Sequence, residues 1–312
     1  MSFFEQLRAA NGKSSGDGRT WVYVPYDQLN PRVGPLGELA AEQAAIVLIE
    51  TTWKGNRRPY HKQKLAWVLA SQRRFALEQA ERGVHVRVLV GDKSYGEMLR
   101  DFLTTKGVSA SVARPAEREL RVDLEPLVAD GLLRLAPHRG WFTTEEDLDR
   151  IGEAPWRMDE FYRGVRQRSG VLMEDGAPVG GRYSLDGENR EPWNGDPPAP
   201  DPLTFEVGDI EREVADLILS RFADHPGQLD MSRVASTQKA AEAHWAWFME
   251  HGLHNFGEFE DAMSTKSGTV FHSLVSPLLN NGRLLPADLV ADVETSDAPL
   301  NSREGFIRQV IG

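Results

Sequence analysis

The chain of 312 residues contains no cysteine. That absence excludes a disulfide framework, a thiolate nucleophile, a Cys-ligated zinc and an iron–sulfur cluster held by this chain alone. Long apolar runs are missing too: no window approaches the roughly 18 uninterrupted apolar residues of a membrane span, and the first ten residues lack a basic segment followed by an apolar core. No membrane partner is expected, and the default location is cytoplasmic. Neither GxGxxG nor GxxxxGK(S/T) is present, which argues against the two commonest phosphate-cradling fingerprints. Positive charge is scarce in one part only. The net charge is −11, and residues 187–312 carry 9 Lys/Arg against 21 Asp/Glu, whereas the preceding residues nearly balance. DNA affinity comes largely from cations that displace counterions from phosphates, so this acidic part is a poor DNA platform by itself.

What is present suffices for two domains, since 312 residues at 40% hydrophobic content can bury two cores. Residues 11–20 are rich in Gly and Ser, and residues 1–20 are expected to form a flexible lead-in. Residues 21–26 (WVYVPY) are the first β-type run. Residues 45–50 (AIVLIE) are continuously apolar, as a parallel strand buried on both faces requires, and residues 84–90 (VHVRVLV) follow at a helix-sized interval. Between them, residues 62–82 place Leu65, Val68, Leu69, Phe75 and Ala76 on one helical face, with Gly83 as the stop. A helix near 95–105, a strand at 109–113, a helix at 120–129 and a strand at 132–135 continue the alternation. This predicts an α/β domain over residues 21–140, built on a Rossmann-like, doubly wound parallel sheet.

Residues 141–202 read as a helical connection ending in a long interdomain loop, because 187–202 (GENREPWNGDPPAPDP) hold too much Pro, Gly and Asp for regular structure. Beyond it, residues 210–222, 237–251, 256–263, 271–280, 286–293 and 302–311 all read as helices, with no strand candidate. Residues 203–312 are therefore expected to begin an all-α domain. Its last segment stays apolar and helix-forming to the final residue, so a truncated chain with an incomplete domain is the expectation.

Ligands of open α/β sheets sit beyond the carboxyl ends of the strands. That rule selects Asp27, Gln28, Leu29 and Asn30 after the first strand, and the stretch from Glu50 to Lys54 after the second. Asp27 reads equally as a helix cap, and Asn30-Pro31 as a turn initiator. Lys54, Arg57, Arg58, His61, Lys62 and Lys64 cluster at a helix N-terminus, either to hold an anion or as a solvated face. Trp67 lies off the apolar stripe of that helix and is exposed unless a cofactor, a partner or a domain interface covers it. His251 and His254 are three apart, yet Gly252 interrupts the helix and no carboxylate completes a cluster, so no bound metal is expected. His272 with Ser273 and Ser276 lacks an orienting acid and a GxSxG turn, which argues against a hydrolase. The two serines, three apart on one helical turn, would instead offer hydroxyls to a phosphate.

Several runs occur together and in order: residues 27–30 (DQLN), 61–66 (HKQKLA), 156–163 (WRMDEFYR), 180–190 (GGRYSLDGENR), 255–257 (NFG), 260–263 (EDAM), 271–277 (FHSLVSP) and 300–312 (LNSREGFIRQVIG). Over nearly the whole chain this series resembles the bacterial photolyase-related proteins, the branch of the cryptochrome/photolyase family that includes iron–sulfur (6-4) photolyases. The resemblance implies an α/β domain holding a light-harvesting antenna chromophore, a lumazine, followed by a long loop and an all-α domain holding FAD. It implies light-driven DNA repair, in which the reduced flavin passes an electron to a UV-induced pyrimidine lesion flipped out of the duplex. By the same resemblance Asp27, Gln28, Leu29, Asn30, Glu50 and Lys54 belong to the antenna site. His272, Ser273, Leu274, Ser276 and Asn280 hold the flavin, and Arg182, Tyr183, Asn189 and Arg190 lie in a loop near the active site and the DNA.

The chain departs from the pattern at Lys54, where an acidic antenna contact is expected. Relatives also continue past residue 312 into a Trp-Arg-Glu motif, the rest of the flavin pocket and four cysteines for an iron–sulfur cluster. The chain alone is therefore expected to be inactive, with UV-damaged DNA met through the full-length protein. A cryptochrome-type blue-light photoreceptor shares every motif quoted and is the alternative. A nucleotide- or flavin-binding module without photochemistry is the third reading.

Overall fold

The computed structural model describes residues 1–12, 14–153 and 155–311. Lys13, Ala154 and Gly312, which fall in the expected lead-in, helical connection and last motif, lie outside the described residues. The chain opens with a helix, α1 (Phe3–Asn11), started by a capping box in which the Ser2 hydroxyl accepts from the Glu5 N–H and the Glu5 carboxylate accepts from the Ser2 N–H. Such a cap is worth about 1 kcal/mol. Phe3 is completely buried, so residues 3–11 are a packed helix where a flexible lead-in was expected.

There follow β1 (Thr20–Tyr23), β2 (Ala44–Thr51), α2 (Trp53–Arg57), α3 (Lys62–Glu81), β3 (His85–Gly91), α4 (Tyr95–Lys106), β4 (Ala110–Ala113), α5 (Arg118–Ala129) and β5 (Leu133–Ala136). The five strands pair in parallel in the order β3-β2-β1-β4-β5. Strand side chains alternate between faces. Val22, Ile46 and Leu48 face a core shared with α1 and α3, while Trp21, Tyr23, Ala45, Val47 and Ile49 face one shared with α4 and α5. Both faces being covered explains why β2 is an uninterrupted apolar run. The first strand is shorter than its apolar run because its ladder ends with the Val24 N–H on the Val47 carbonyl (3.0 Å), just before Pro25, which has no N–H to donate. β1 lies between β2 and β4, the point where strand order reverses, and ligands of such sheets sit beyond the carboxyl ends there. At the outer strand β3, the Asn11 amide donates to the Val86 carbonyl (2.8 Å) and its oxygen accepts from the Val86 N–H (2.9 Å).

The chain continues through α6 (Glu145–Asp149), α7 (Met158–Ser169), a short hairpin of β6 (Met173–Glu174) and β7 (Ala177–Pro178), α8 (Asp209–Arg221), α9 (Gln238–His251), α10 (Leu253–Phe256), α11 (Ser276–Asn280), α12 (Pro286–Thr295) and α13 (Leu300–Ile311). No helix among the described residues is long and apolar enough to cross a membrane.

The molecule divides into two compact units that interleave in sequence. One comprises Met1–Arg139, Thr204–Ala241 and Asn280–Arg283, and the other comprises Gly140–Leu203, Glu242–Leu279 and the chain from Leu284 onward. α8 belongs to the first unit. Its Ile210, Val214 and Ile218 enter the core beside α3, and Glu211 pairs with Arg74 (2.5 Å) while Glu213 pairs with Arg73 (2.8 Å). Trp67 is half-buried against the same core. The fully buried Arg283 ties this unit together through Glu78 (2.5 Å) and the carbonyls of Ser71 and Ser236 (both 2.9 Å).

The second unit is centred on Trp245, Phe248, Phe256 and Phe306, with ring centroids 5.2–5.8 Å apart. Two expected helices are corrected here. Residues 256–263 leave the helix at Phe256 because the Ser302 hydroxyl accepts from the Gly257 N–H (2.8 Å) and donates to the His254 carbonyl (2.9 Å), taking groups that a continuing helix would use. Gly257 permits this approach, since a Cβ there would lie 2.5 Å from the Ser302 nitrogen. Residues 271–280 are helical only over α11. Val270 and Leu274 have positive φ (48° and 55°), and Pro277 fits a helix only in its first turn.

Candidate functional site

Beyond β1, both carboxylate oxygens of Asp27 are buried and make no hydrogen bond of good geometry. Burial pushes Asp27 up to about 6, against the pull of backbone N–H groups, its own and those of Ala116 and Glu117, and of the Lys54 charge. Beyond β2, the Lys54 ammonium donates to the Tyr26 hydroxyl (2.7 Å) and to the Glu117 carboxylate, with Glu119 at 3.9 Å. It stands 5.1 Å from the Tyr26 ring centroid and 5.9 Å from that of Tyr95. Burial pulls Lys54 down to about 8, opposed by the charges of Glu119 and Asp27. The Tyr26 hydroxyl also donates to Glu117, and Trp53 meets Tyr95 edge-on at 6.4 Å. The Tyr23 hydroxyl is buried without a partner. The crevice therefore combines aromatic walls, a partly dry carboxyl group with open hydrogen-bonding capacity, and an ammonium held between acids. Such a set suits a small aromatic ligand with a polar edge.

The remaining residues selected after β1 and β2 have internal partners. The Gln28 amide donates to the Ala113 carbonyl (2.8 Å), linking β1 to β4 where strand order reverses. Leu29 is fully buried and donates its N–H to the Asn281 carbonyl (2.8 Å), and the Asn30 side chain accepts from the Arg32 N–H (3.0 Å) as a turn cap. Glu50 is buried in a two-bonded ion pair with Arg73, both bonds 2.9 Å. Of the six, Asp27 and Lys54 meet in the crevice. Tyr95 and Glu117 were not singled out, although they lie just past β3 and β4, where the same carboxyl-end rule points.

At the expected anion site, His61 caps its own helix by accepting from the Gln63 N–H (3.1 Å), and Lys62 donates to the His225 carbonyl (2.5 Å). Arg58 pairs with Glu119 at 3.2 Å. Among the described residues no group of three or more His, Cys, Asp or Glu is placed to hold a metal.

In the second unit, Arg182 and Arg190 are exposed, paired with Glu188 and Asp186 respectively. The Tyr183 ring lies beside two guanidinium groups, Arg163 at 5.1 Å and Arg166 at 5.3 Å, and its hydroxyl accepts from Gln167 (3.0 Å). Asn189 is 1% exposed and donates to Glu260 (2.7 Å), which also receives Arg308 (2.9 Å) and Gln309 (2.6 Å). Arg166, fully buried, fixes the hairpin and the loop by donating to the carbonyls of Val171, Leu172 and Tyr183. Its role was invisible locally, because its acceptors are backbone groups that a sequence pattern does not mark.

The His272 ring contacts the Glu260 carbonyl (3.2 Å), and the Ser273 carbonyl meets the His244 ring (2.9 Å). Leu274 and Ser276 are exposed, and Asn280, also exposed, falls in the first unit. Ser273 and Ser276 do not share a helical turn, which corrects the geometry expected of them.

A sequence model of the family described as "Deoxyribodipyrimidine photo-lyase-related protein" matches residues 22–234. The chain is 32% identical over 307 residues to a (6-4) photolyase of Agrobacterium fabrum, an alignment covering 93% of this chain and 60% of that protein. Its fold is similar to that in the crystal structure of a bacterial class III photolyase from Agrobacterium tumefaciens, with a TM-score of 0.56 at 17% identity over 96% of this chain and 58% of that one. The chain thus spans about 60% of the length of these relatives. With a matched region running from β1 to beyond α8, this chain belongs to the deoxyribodipyrimidine photo-lyase-related protein family.

Proposed function

We propose that this chain is the antenna-bearing part of a light-dependent DNA-repair protein of the iron–sulfur branch, acting on (6-4) pyrimidine lesions. The reading is supported above all by the 32% identity, over 93% of the chain, to a (6-4) photolyase. The crevice at β1 and β2 is the proposed antenna site. Asp27, whose buried oxygens make no well-aligned hydrogen bond, takes the polar edge of a ribityl-lumazine, and Tyr26 and Tyr95 flank its ring. Lys54 replaces an acidic contact, so a ligand edge that accepts hydrogen bonds is favoured over one that only donates.

In the second unit, the Ser273 and Ser276 hydroxyls and the His272 ring are proposed to lie along the FAD pyrophosphate, and the exposed Ser276 side chain is open to such a ligand. When bound, FAD supplies the electron that cleaves the lesion. Arg182, Tyr183 and Arg190 are proposed to face the DNA. Asn189 acts behind them, holding the loop against Glu260.

The test is an absorption and fluorescence titration of the purified chain with ribityl-lumazine and, separately, FAD. Ribityl-lumazine is expected to bind with a shifted spectrum, and Asp27→Ala to weaken that binding about tenfold, the loss of one buried hydrogen bond to a polar ligand edge. A folded chain that leaves the spectra of both compounds unchanged would overturn the reading.

A further inference from the structure

Three asparagines in the chain precede a glycine: Asn11, Asn194 and Asn281. Such a pair is chemically labile, because the glycine nitrogen can attack the asparagine Cγ with no Cβ in its way. The fold treats the three pairs differently. Asn11 closes α1 with both ends of its amide on Val86, and the Gly12 N–H is spent on the carbonyls of Arg8 and Ala9 (both 3.2 Å). Asn281 is 4% exposed, its amide donates to the Ser71 hydroxyl (3.2 Å), and its carbonyl accepts from the Leu29 N–H (2.8 Å). At both positions the local structure must open before the side chain can react.

Asn194, at the exposed tip of the loop in the second unit, has no such lock. Among the described residues neither its side-chain nitrogen nor the Gly195 N–H donates a hydrogen bond, and a Cβ on Gly195 would meet nothing within 4 Å. The Asp196 N–H donates to Asn194 Oδ1 (3.2 Å), the oxygen on which negative charge builds as a nucleophile adds at Cγ. Asn281 receives the same contact from the Arg283 N–H (3.0 Å), so burial and anchoring, rather than the local turn, set the two apart. The base of the tip is fixed: Trp193 packs against Phe259, Val270 and Phe271, and its ring N–H donates to the Pro197 carbonyl (2.8 Å). The Lys266 ammonium donates to the Asn194 carbonyl (3.3 Å).

We propose that Asn194 is a site of spontaneous covalent modification, losing its side-chain amide through a succinimide formed with Gly195. Hydroxide takes the Gly195 amide proton, the nitrogen bonds to Asn194 Cγ, and the Cγ–Nδ2 bond breaks, Nδ2 leaving as ammonia with a proton from water. Water then adds to one of the two ring carbonyls and breaks its bond to the Gly195 nitrogen. Opening at the side-chain carbonyl leaves an aspartate. Opening at the backbone carbonyl leaves an isoaspartyl link, in which the chain runs through the side-chain carbons. Both products bring a new carboxylate to the tip beside Asp196. The isoaspartyl form also lengthens the backbone by a methylene between Trp193 and Pro197, the residues whose hydrogen bond closes the tip. No cofactor, partner or light enters the reaction.

The test ages the purified full chain in mildly alkaline buffer, folded and in urea, and maps its peptides by mass spectrometry in water enriched in oxygen-18. In the folded chain the peptide holding Asn194 is expected to convert to a mixture of aspartyl and isoaspartyl forms, separable by chromatography, and to do so faster as pH rises. Asn11 and Asn281 are expected to react at least about tenfold more slowly, the scale of breaking one or two hydrogen bonds first. In urea the three sites should approach a common rate. Asn194→Gln, which would have to close a larger ring, is expected to keep its amide. An Asn194 that keeps its amide in the folded chain, whether or not the unfolded chain reacts, or equal rates at the three sites in the folded chain, would overturn the proposal. A chain that ages at Asn194 yet takes up no ribityl-lumazine would sink the antenna reading alone.

Discussion

On the α3 side of the sheet and in the crevice at its carboxyl edge, the first unit handles buried carboxylates in opposite ways. Glu50 receives two 2.9 Å bonds from Arg73, which also holds Glu213. Asp27, one strand away, has both oxygens buried and no good hydrogen bond. The second unit follows the Glu50 pattern at Glu260, which gathers Asn189, Arg308 and Gln309. The lesson is that burial alone does not mark a site. A buried charge met by well-aligned donors of the protein is scaffold, and one whose donors are poorly aligned is a candidate for a ligand contact.

The sharpest way to break this comparison is Arg73→Met, which strands Glu50 in the core. The expected loss is about 3–5 kcal/mol in urea unfolding, because an uncompensated buried charge remains. Adding Glu50→Gln should recover part of it, and a loss below about 1 kcal/mol would mean that the pair behaves like a surface contact.

Asp27 makes the opposite prediction. Its folded-state value of about 6 lies above the ordinary 3.8, so the folded chain binds the proton more tightly than the unfolded one, and stability falls as pH rises from about 4 through 6. Asp27→Asn is expected to leave stability near pH 4 almost unchanged and to raise it at pH 7–8 by up to about 3 kcal/mol. Thermal midpoints of both proteins across that range check this. Parallel curves would show that Asp27 is already satisfied.

A smaller effect is expected from Gly305→Ala. A Cβ there would lie 2.6 Å from both Asn189 Nδ2 and Glu260 Oε2, so the substitution must prise the network apart at a cost of about 1–3 kcal/mol. An unchanged thermal midpoint would show that the Glu260 cluster can shift.

Much of the parallel sheet was legible because local pattern and global burial agree in it. The apolar run of β2 reads as central, and it is flanked on both sides. α1 was overlooked although Ser2 and Glu5 have capping-box spacing and Phe3 and Leu7 share a face. The Gly- and Ser-rich stretch after it drew the boundary too early. The helical pattern of α8 was clear, but nothing local says which core takes it, and Arg73 and Arg74 decide that from more than a hundred residues away. Periodicity overextended the helix at 271–280 because it does not register the positive φ of Val270 and Leu274. At the proposed crevice, the carboxyl-end rule picked out Asp27 and Lys54, whose charges the fold brings near each other. It did not separate the poorly bonded Asp27 from the fully committed Gln28, Leu29 and Asn30, since that difference lies in partners such as Ala113 and Asn281.

The clasp between Asn11 and Val86 has a bearing on solubility. The outer strand of a sheet is a template on which another chain can add by backbone pairing. Here one side chain already fills both the donor and the acceptor of Val86, mimicking the neighbour that an intruding strand would supply. A second copy seeking to extend the sheet along β3 would first have to unseat a helix whose Phe3 is locked in the core. The small helix at the start of the chain thereby blocks strand addition at Val86.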